Sequence, residues 1–368
     1  KLIKKILTIL QIDLNKLEKN YHSLRKRLNP HSKMIGVIKA NAYGGVSGPI
    51  AERLVEMGIE ALAVAYTEEG VQLRKLGIKI PLLVFYPQVQ NFRTLIHNDL
   101  EPVLYSKLSW VKFKEALVEE KQSDYPIHIK YNTGLNRIGF HPEETDWVLE
   151  QLKDSSFKLK TIYSHLAQTE VPKPNEDTEN QISLFHQIMQ KHNRASKHKP
   201  EYHLLNTSGV FNYPEFHLDW VRIGIGLYGF ANHPKWNKTL NPIAQLKTKI
   251  TQIHKVKSGE TVGYNCGWRA KKDTRIAVLP IGHADGYSRQ YGHGKGWVLV
   301  NGKKANVIGN VCMDMVMVDV GEIPCDEESE VVIIGSGIRA DELAENAGTI
   351  SYELLSSLGN RIPRVLKT

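Results

Sequence analysis

Eight short apolar runs dominate the first two thirds of the chain, at residues 35–38, 61–65, 81–85, 102–105, 127–131, 159–163, 203–205 and 219–223. Most are separated by stretches of amphipathic, helical period. Runs without polar alternation suit strands buried on both faces, and eight of them alternating with helices over about 210 residues predict a (β/α)8 barrel, an α/β fold. Such barrels carry their chemistry in the loops after the strands. Lys39 and Tyr43 follow the first run, Lys130 and Arg137 the fifth, His165 the sixth, Asn206, Thr207 and Ser208 the seventh, and Arg222 the eighth. A random scatter would divide these residues between the two ends of the barrel. Their gathering at one rim predicts a site in its mouth.

Past residue 235 the texture changes. Residues 242–256 alternate apolar and polar, and short strands are expected at 275–280, 296–300, 304–308, 315–320 and 330–334, with Asp285-Gly286 and Asn301-Gly302 turns between them. This predicts a mostly β domain with a helical piece at 338–358. The first ten residues are basic and then apolar, but no small-residue cleavage site follows, so they read as a strand rather than a signal peptide. Asp13 is placed to cap a helix with apolar residues at 14, 17, 21, 24 and 28, ended by Pro30. The polar stretch 170–180 reads as a surface loop. The expected domains are thus 1–12, a strand packing with the β domain; 13–238, the barrel; and 239–368, the β domain. The first residue is a lysine, which suggests a chain trimmed from a longer polypeptide.

Composition narrows the function. The 41% hydrophobic and 24% charged content is that of a soluble globular protein, and no window approaches the roughly 18 apolar residues of a membrane span. The net charge is +9, but the lysines are spread along the chain without a basic run interleaved with aromatics. An anionic small ligand accounts for that charge as well as a nucleic acid does, and neither a nucleic acid nor a membrane is expected as a partner. Cys266, Cys312 and Cys325 form no metal-ligand spacing and no disulfide framework. A reduced, cytoplasmic setting with no metal site is expected.

The first run ends on Lys39. A lysine at a strand end either snorkels to solvent or, desolvated, loses its proton and forms a Schiff base with an aldehyde cofactor such as pyridoxal phosphate. Asn206-Thr-Ser-Gly209 and Arg222-Ile-Gly-Ile225 offer hydroxyls and backbone N–H groups after the last two strands, where barrels commonly hold phosphate. Taken alone, each is also an ordinary turn or surface arginine. Inside a cofactor site, Arg222 would leave a pyridine nitrogen unprotonated and weaken the ring as an electron sink, which favours proton transfer.

Val37-Ile-Lys-Ala-Asn-Ala-Tyr-Gly44, Asn132-Thr-Gly-Leu-Asn-Arg-Ile-Gly139, Ser164-His165, Asn206-Thr-Ser-Gly209, Val221-Arg-Ile-Gly-Ile-Gly-Leu-Tyr-Gly229, Val262-Gly-Tyr264, Pro280-Ile-Gly-His-Ala-Asp-Gly-Tyr287 and Gly309-Asn-Val-Cys-Met-Asp314 follow one another in order. This succession resembles the pyridoxal-phosphate-dependent alanine racemases over nearly the whole chain. The resemblance implies a homodimer with shared active sites that interconverts L-alanine and D-alanine and supplies D-alanine for the bacterial cell wall. It implies that Lys39 carries the cofactor and is the base on the D-alanine side. The partner's Tyr264 would be the base on the L-alanine side, its phenolate stabilised by nearby cations in a network of His165 and Arg222. Tyr43, Asn206, Ser208, Gly224, Ile225 and Tyr352 match cofactor-binding positions, Gly224 and Ile225 through backbone N–H. Arg137 matches the residue that holds the substrate carboxylate, Met313 and Asp314 complete the substrate site, and Lys130 matches a lysine that is often carbamylated.

Three features depart from the pattern. Gly45-Val46 stands where relatives more often have His-Gly, Asn132 replaces a carboxylate, and His283 replaces a tyrosine near the substrate entrance. Two other functions fit parts of the chain. An amino-acid decarboxylase of the same architecture would want an acid at Arg222, and a cofactor carrier built from the barrel alone would lack the β domain.

Overall fold

A computed structural model describes residues 7–171, 173, 175–195 and 199–368. Two compact units emerge. Among the described residues, one comprises those of 18–42 and 47–240, the other those of 7–17, 43–46 and 241–368.

The first unit holds eight parallel strands. Counting the N-terminal strand Ile9–Asp13 as β1, they are β2 (Lys33–Val37), β3 (Ala61–Val64), β4 (Leu82–Val84), β5 (Glu101–Leu104), β6 (Tyr125–Lys130), β7 (Phe157–Tyr163), β8 (Glu201–His203) and β9 (Trp220–Ile223). They close into a barrel, with β9 beside β2 at the register Arg222 to Ile35. The apolar runs follow from that closure. Every residue of β3, β4, β5 and β9 is buried, because helices cover the outside while side chains fill the interior.

The second unit is built on a nine-stranded sheet. Its strands continue as β10 (Ala244–Lys249), β11 (Gln252–Val256), β12 (Thr261–Val262), β13 (Trp268–Arg269), β14 (Thr274–Leu279), β15 (Trp297–Val300), β16 (Lys303–Ile308), β17 (Val316–Asp319), β18 (Glu330–Ile334) and β19 (Arg364–Lys367). The sheet order is β11-β14-β17-β16-β15-β18-β10-β1-β19, and β12 pairs with β13 as a separate hairpin. β1 runs antiparallel to β10 and parallel to β19.

Four expectations change. The strand expected over the first ten residues is β1, which begins at Ile9; residues 1–6 lie outside the described residues. Asp13 does accept from Lys16 N–H at 3.1 Å, but the helix it caps ends at Arg25, where Arg27 and Leu28 turn back to the carbonyls of Leu24 and Arg25, before Pro30 is reached. The expected loop at 170–180 becomes helix from Glu176. There the Asn175 carboxamide accepts from Thr178 N–H at 3.2 Å, and Glu176, Asp177 and Glu179 complement the helix dipole. The helical piece at 338–358 is two helices, Ala340–Asn346 and Ser351–Ser356. Gly348 separates them at φ 76°, with Thr349 N–H reaching Ala344 O and Gly348 N–H reaching Glu345 O in a left-handed helix stop. None of the described helices is long and apolar enough to cross a membrane.

Candidate active site

Lys39 leaves β2 into a turn of the wrong hand. Ala40, Asn41, Ala42 and Tyr43 have φ of 53°, 50°, 54° and 56°, four successive non-glycine residues in the left-handed region, before Gly44 at 82°. Each costs about 1–2 kcal/mol, so the turn persists only because its surroundings impose it. Glu69 is one such constraint. Its carboxylate accepts from Ala40 N–H at 2.6 Å and, through the other oxygen, from Ala65 and Tyr66 N–H at 2.8 and 3.1 Å. The Asn41 side chain holds Ser47 N–H at 2.9 Å. Gly44 admits no side chain: a Cβ would lie 2.0 Å from Leu355 O, and Arg364 donates twice to the Gly44 carbonyl.

Four cations collect at the barrel mouth. Crowding by protein lowers the Lys39 pKa, with Arg137 adding repulsion and Glu69 opposing it. By surface area Lys39 is exposed, so the shift reflects protein density around the amine rather than closure from solvent. Lys130 is buried, donates to Ile138 O at 2.8 Å, and is lowered to about 7 by burial and by Arg137 and Arg222. Arg137 is exposed, and its guanidinium makes no hydrogen bond among the described residues. Arg222 is 4% exposed, with its pKa lowered to about 10 by burial, so it remains a cation at neutral pH.

The bonds of Arg222 organise the site. One terminal nitrogen donates to His203 Nδ1 at 2.8 Å; the other is shared among Ser164 O, Leu204 O and His165 Nδ1 at 2.9–3.0 Å. Its Nε–H has no partner among the described residues. Because Arg222 can only donate, His165 Nδ1 must be bare, and a neutral ring then carries its proton on Nε2. Burial, followed by the charges of Arg222, Arg137, Lys130 and Lys39, pushes the His165 pKa well below its ordinary value. The expected pair of cations is therefore corrected: Arg222 is charged and His165 is a neutral donor.

The last two barrel loops are tied together by Thr207, whose hydroxyl accepts from Gly224 and Gly226 N–H at 3.2 Å each. The Gly224 N–H expected to reach a phosphate is thus already engaged. Ile225 N–H has no described partner. Asn206 caps the helix Thr207–Asn212 through Gly209 N–H at 3.0 Å, and buried Ser208 accepts only a long bond, 3.4 Å, from Asn232.

The remaining candidates belong to the β unit. Tyr43 and Tyr352 lie ring to ring at 5.9 Å, and burial, then Tyr352, raises the Tyr43 pKa, so its phenol stays a donor. Tyr264 stands at the tip of the β12–β13 hairpin, 69% exposed, with its carbonyl held by Asn310 Nδ2 at 3.1 Å. Tyr264, Met313 and Asp314 line one open cavity of about 1090 Å³. The Cys312–Met315 loop is anchored by His283 and Ala284 N–H on Cys312 O and Met313 O, at 3.0 Å each. Gly282 makes that approach feasible, since a Cβ there would meet Met313 O at 2.3 Å. Asp314 pairs with Arg361 at 2.8 Å.

Sequence reasoning missed Glu69, His203 and the β12–β13 hairpin. Glu69, three residues after Tyr66 at a helix start, carried a capping signal; a lone histidine in an apolar strand carried none.

Two family descriptions match the chain: "Alanine racemase, N-terminal domain" over residues 12–232 and "Alanine racemase, C-terminal domain" over residues 243–366. The alanine racemase of Clostridium novyi is 35% identical over 369 residues, covering 96% of this chain and 94% of its own. That of Halothermothrix orenii is 34% identical over 366 residues, covering 97% and 96%. Among solved structures, alanine racemase from D-cycloserine-producing Streptomyces lavendulae superposes with a TM-score of 0.94 at 27% identity, covering 98% of this chain and 97% of its own. The Bartonella henselae alanine racemase with covalently bound pyridoxal phosphate gives 0.89 at 25% identity, covering 98% and 100%.

Proposed function

This chain belongs to the alanine racemase family, isomerases that interconvert the enantiomers of alanine, and on that premise we propose that it uses pyridoxal 5'-phosphate and two opposed bases in a homodimer. Lys39 serves the D-alanine side and the partner's Tyr264 the L-alanine side. The cofactor, when bound, supplies an electron-withdrawing ring that acidifies the substrate Cα–H.

The observation that carries the reading is Arg222. A guanidinium whose other nitrogens are committed and whose Nε–H has no partner among the described residues offers one donor to a ring nitrogen and does not give up its proton. A decarboxylase would want an acid in that place. Lys39 follows the first barrel strand, where it can hold the cofactor covalently, and Ser208 and Ile225 N–H offer donors for its phosphate. Arg137, whose guanidinium makes no hydrogen bond among the described residues, suits the substrate carboxylate. Inversion needs a proton removed from one face of Cα and another delivered to the opposite face, a task that one base on each side of Cα suits. The exposed Tyr264, Met313 and Met315, at 69%, 59% and 44%, form an apolar face of the kind that pairs with another chain. The three free thiols suit a reducing, cytoplasmic setting, where the D-alanine made would feed cell-wall synthesis.

The test is the circular dichroism of L-alanine incubated with the protein and pyridoxal phosphate. Ellipticity should decay to zero with alanine conserved. Release of carbon dioxide, or an unchanged signal, would overturn the reading.

Lys130 carries a second consequence. With a pKa of about 7 its amine is half unprotonated at neutrality, the form that attacks carbon dioxide. A carbamate there would place an anion beside Arg137 and Arg222. Carbon-13 NMR with labelled bicarbonate should show one carbamate resonance that is lost in Lys130→Gln. At fixed dissolved carbon dioxide it should grow as pH rises through about 7, because the neutral amine accumulates in that direction. A spectrum unaffected by Lys130→Gln would refute the modification.

A further inference from the structure

Behind Arg222 a chain of side chains crosses the inside of the barrel. His203 Nδ1 accepts from Arg222 at 2.8 Å, His203 Nε2 lies 2.9 Å from Thr161 Oγ1, Thr161 Oγ1 lies 2.7 Å from His128 Nδ1, and His128 Nε2 lies 2.8 Å from Glu101 Oε2. The five residues occupy five successive strands, from the first residue of β5 through β6, β7 and the last residue of β8 to β9. None is more than 9% exposed.

The two ends dictate the direction of every link. Arg222 can only donate and a carboxylate can only accept. His203 therefore presents a bare Nδ1 and donates from Nε2 to Thr161, the Thr161 hydroxyl donates to His128 Nδ1, and His128 donates from Nε2 to Glu101. Any other arrangement leaves two donors facing each other or a hydroxyl hydrogen with no acceptor. Burial raises the Glu101 pKa, but contact with His128, by hydrogen bond and electrostatics, and the charges of Lys160 and Arg74 outweigh it and bring it below the usual carboxylate range; burial, then Arg222 and His128, pushes the His203 pKa well below its ordinary value. No carboxylate hydrogen-bonds Arg222 among the described residues, and its charged neighbours Arg137 and Lys130 repel it.

We propose that Glu101, at the opposite end of the barrel strands from the site, is a positioning residue: through His128, Thr161 and His203 it sets the hydrogen-bond direction and balances the charge of Arg222. This rests on reading Arg222 as the residue that faces the cofactor ring. Aligned hydrogen bonds polarise one another, so the remote carboxylate compensates a buried cation without placing an acid beside the ring nitrogen. A direct carboxylate partner would pull the guanidinium out of place and supply a protonatable group in the mouth.

The test is a double-mutant cycle of Glu101→Gln and Thr161→Val in the full chain, read in two ways. Nitrogen-15 NMR of labelled histidines, recorded without substrate, should find His128 and His203 as Nε2–H tautomers. Glu101→Gln, which removes only the charge and lets the amide face either way, should move the His203 ring signals although three hydrogen bonds separate the two residues. In the cofactor-loaded protein it should lower kcat for alanine about tenfold, the loss expected of a weakened hydrogen bond to a charged group, with little change in KM because Arg137 is untouched. In the Thr161→Val background Glu101→Gln should add nothing to either readout. His203 signals that ignore Glu101→Gln, or an effect of the same size in both backgrounds, would overturn the relay. A wild-type protein that failed to racemise alanine would overturn the proposed function instead, and the substrate-free histidine spectra would still decide the relay.

Discussion

Lys39→Ala is expected to abolish the yellow colour of the protein incubated with pyridoxal phosphate and to lower alanine racemisation on the order of 10⁴-fold or more, as loss of a covalent catalytic group does in other enzymes. The expectation comes from the amine and from the backbone that carries it. Protein crowding and Arg137 lower the Lys39 pKa and enlarge the neutral fraction that bonds to an aldehyde. The left-handed turn from Ala40 to Tyr43 stores roughly 4–8 kcal/mol, and the Glu69 and Asn41 hydrogen bonds help to hold it. Such strain is kept where it aims a side chain. Lys39→Arg should fail equally, since it keeps charge and length but has no neutral amine. Absorption spectra and a D-alanine assay decide the matter; a variant that keeps both colour and turnover would remove Lys39 from the chemistry.

The barrel was legible because closure imposes a pattern. Strands such as Ala61–Val64 are covered on both faces, so they read as unbroken apolar runs, and each run marked where a loop on the active rim begins. The β unit was legible through its alternating strands, but β19 was not: Arg364–Lys367 spans four residues, half of them exposed, too short to show a period. The charge on His165 was beyond reach for another reason. Its ionisation depends on burial and then on four cations brought together by three strands and their loops, an environment that no local motif encodes. The same holds for Glu101, His128, Thr161 and His203, whose meaning lies in which atoms meet across neighbouring strands. Asn132, which departs from the family carboxylate, accepts from Gly134 and Asn136 N–H at 3.3 and 2.9 Å and so serves its loop without a charge.

Tyr264→Phe should leave cofactor colour intact and reduce alanine racemisation by about 10²–10⁴-fold, the range associated with losing a proton-transfer group. Only a hydroxyl is removed, and it belongs to a residue 69% exposed at the tip of a hairpin whose carbonyl Asn310 holds, so folding should be little affected. The loss should be one-sided in deuterium oxide. Lys39 still exchanges the Cα proton of D-alanine, so D-alanine should take up deuterium without inverting, while L-alanine stays inert. Mixing the two variants tests whether the bases come from different protomers. In an equal mixture of Lys39→Ala and Tyr264→Phe chains, half the dimers are mixed, and each mixed dimer assembles one complete site of two. Activity should therefore recover to about a quarter of wild type. If both bases belonged to one chain, every site in the mixture would lack one of them and no activity would return.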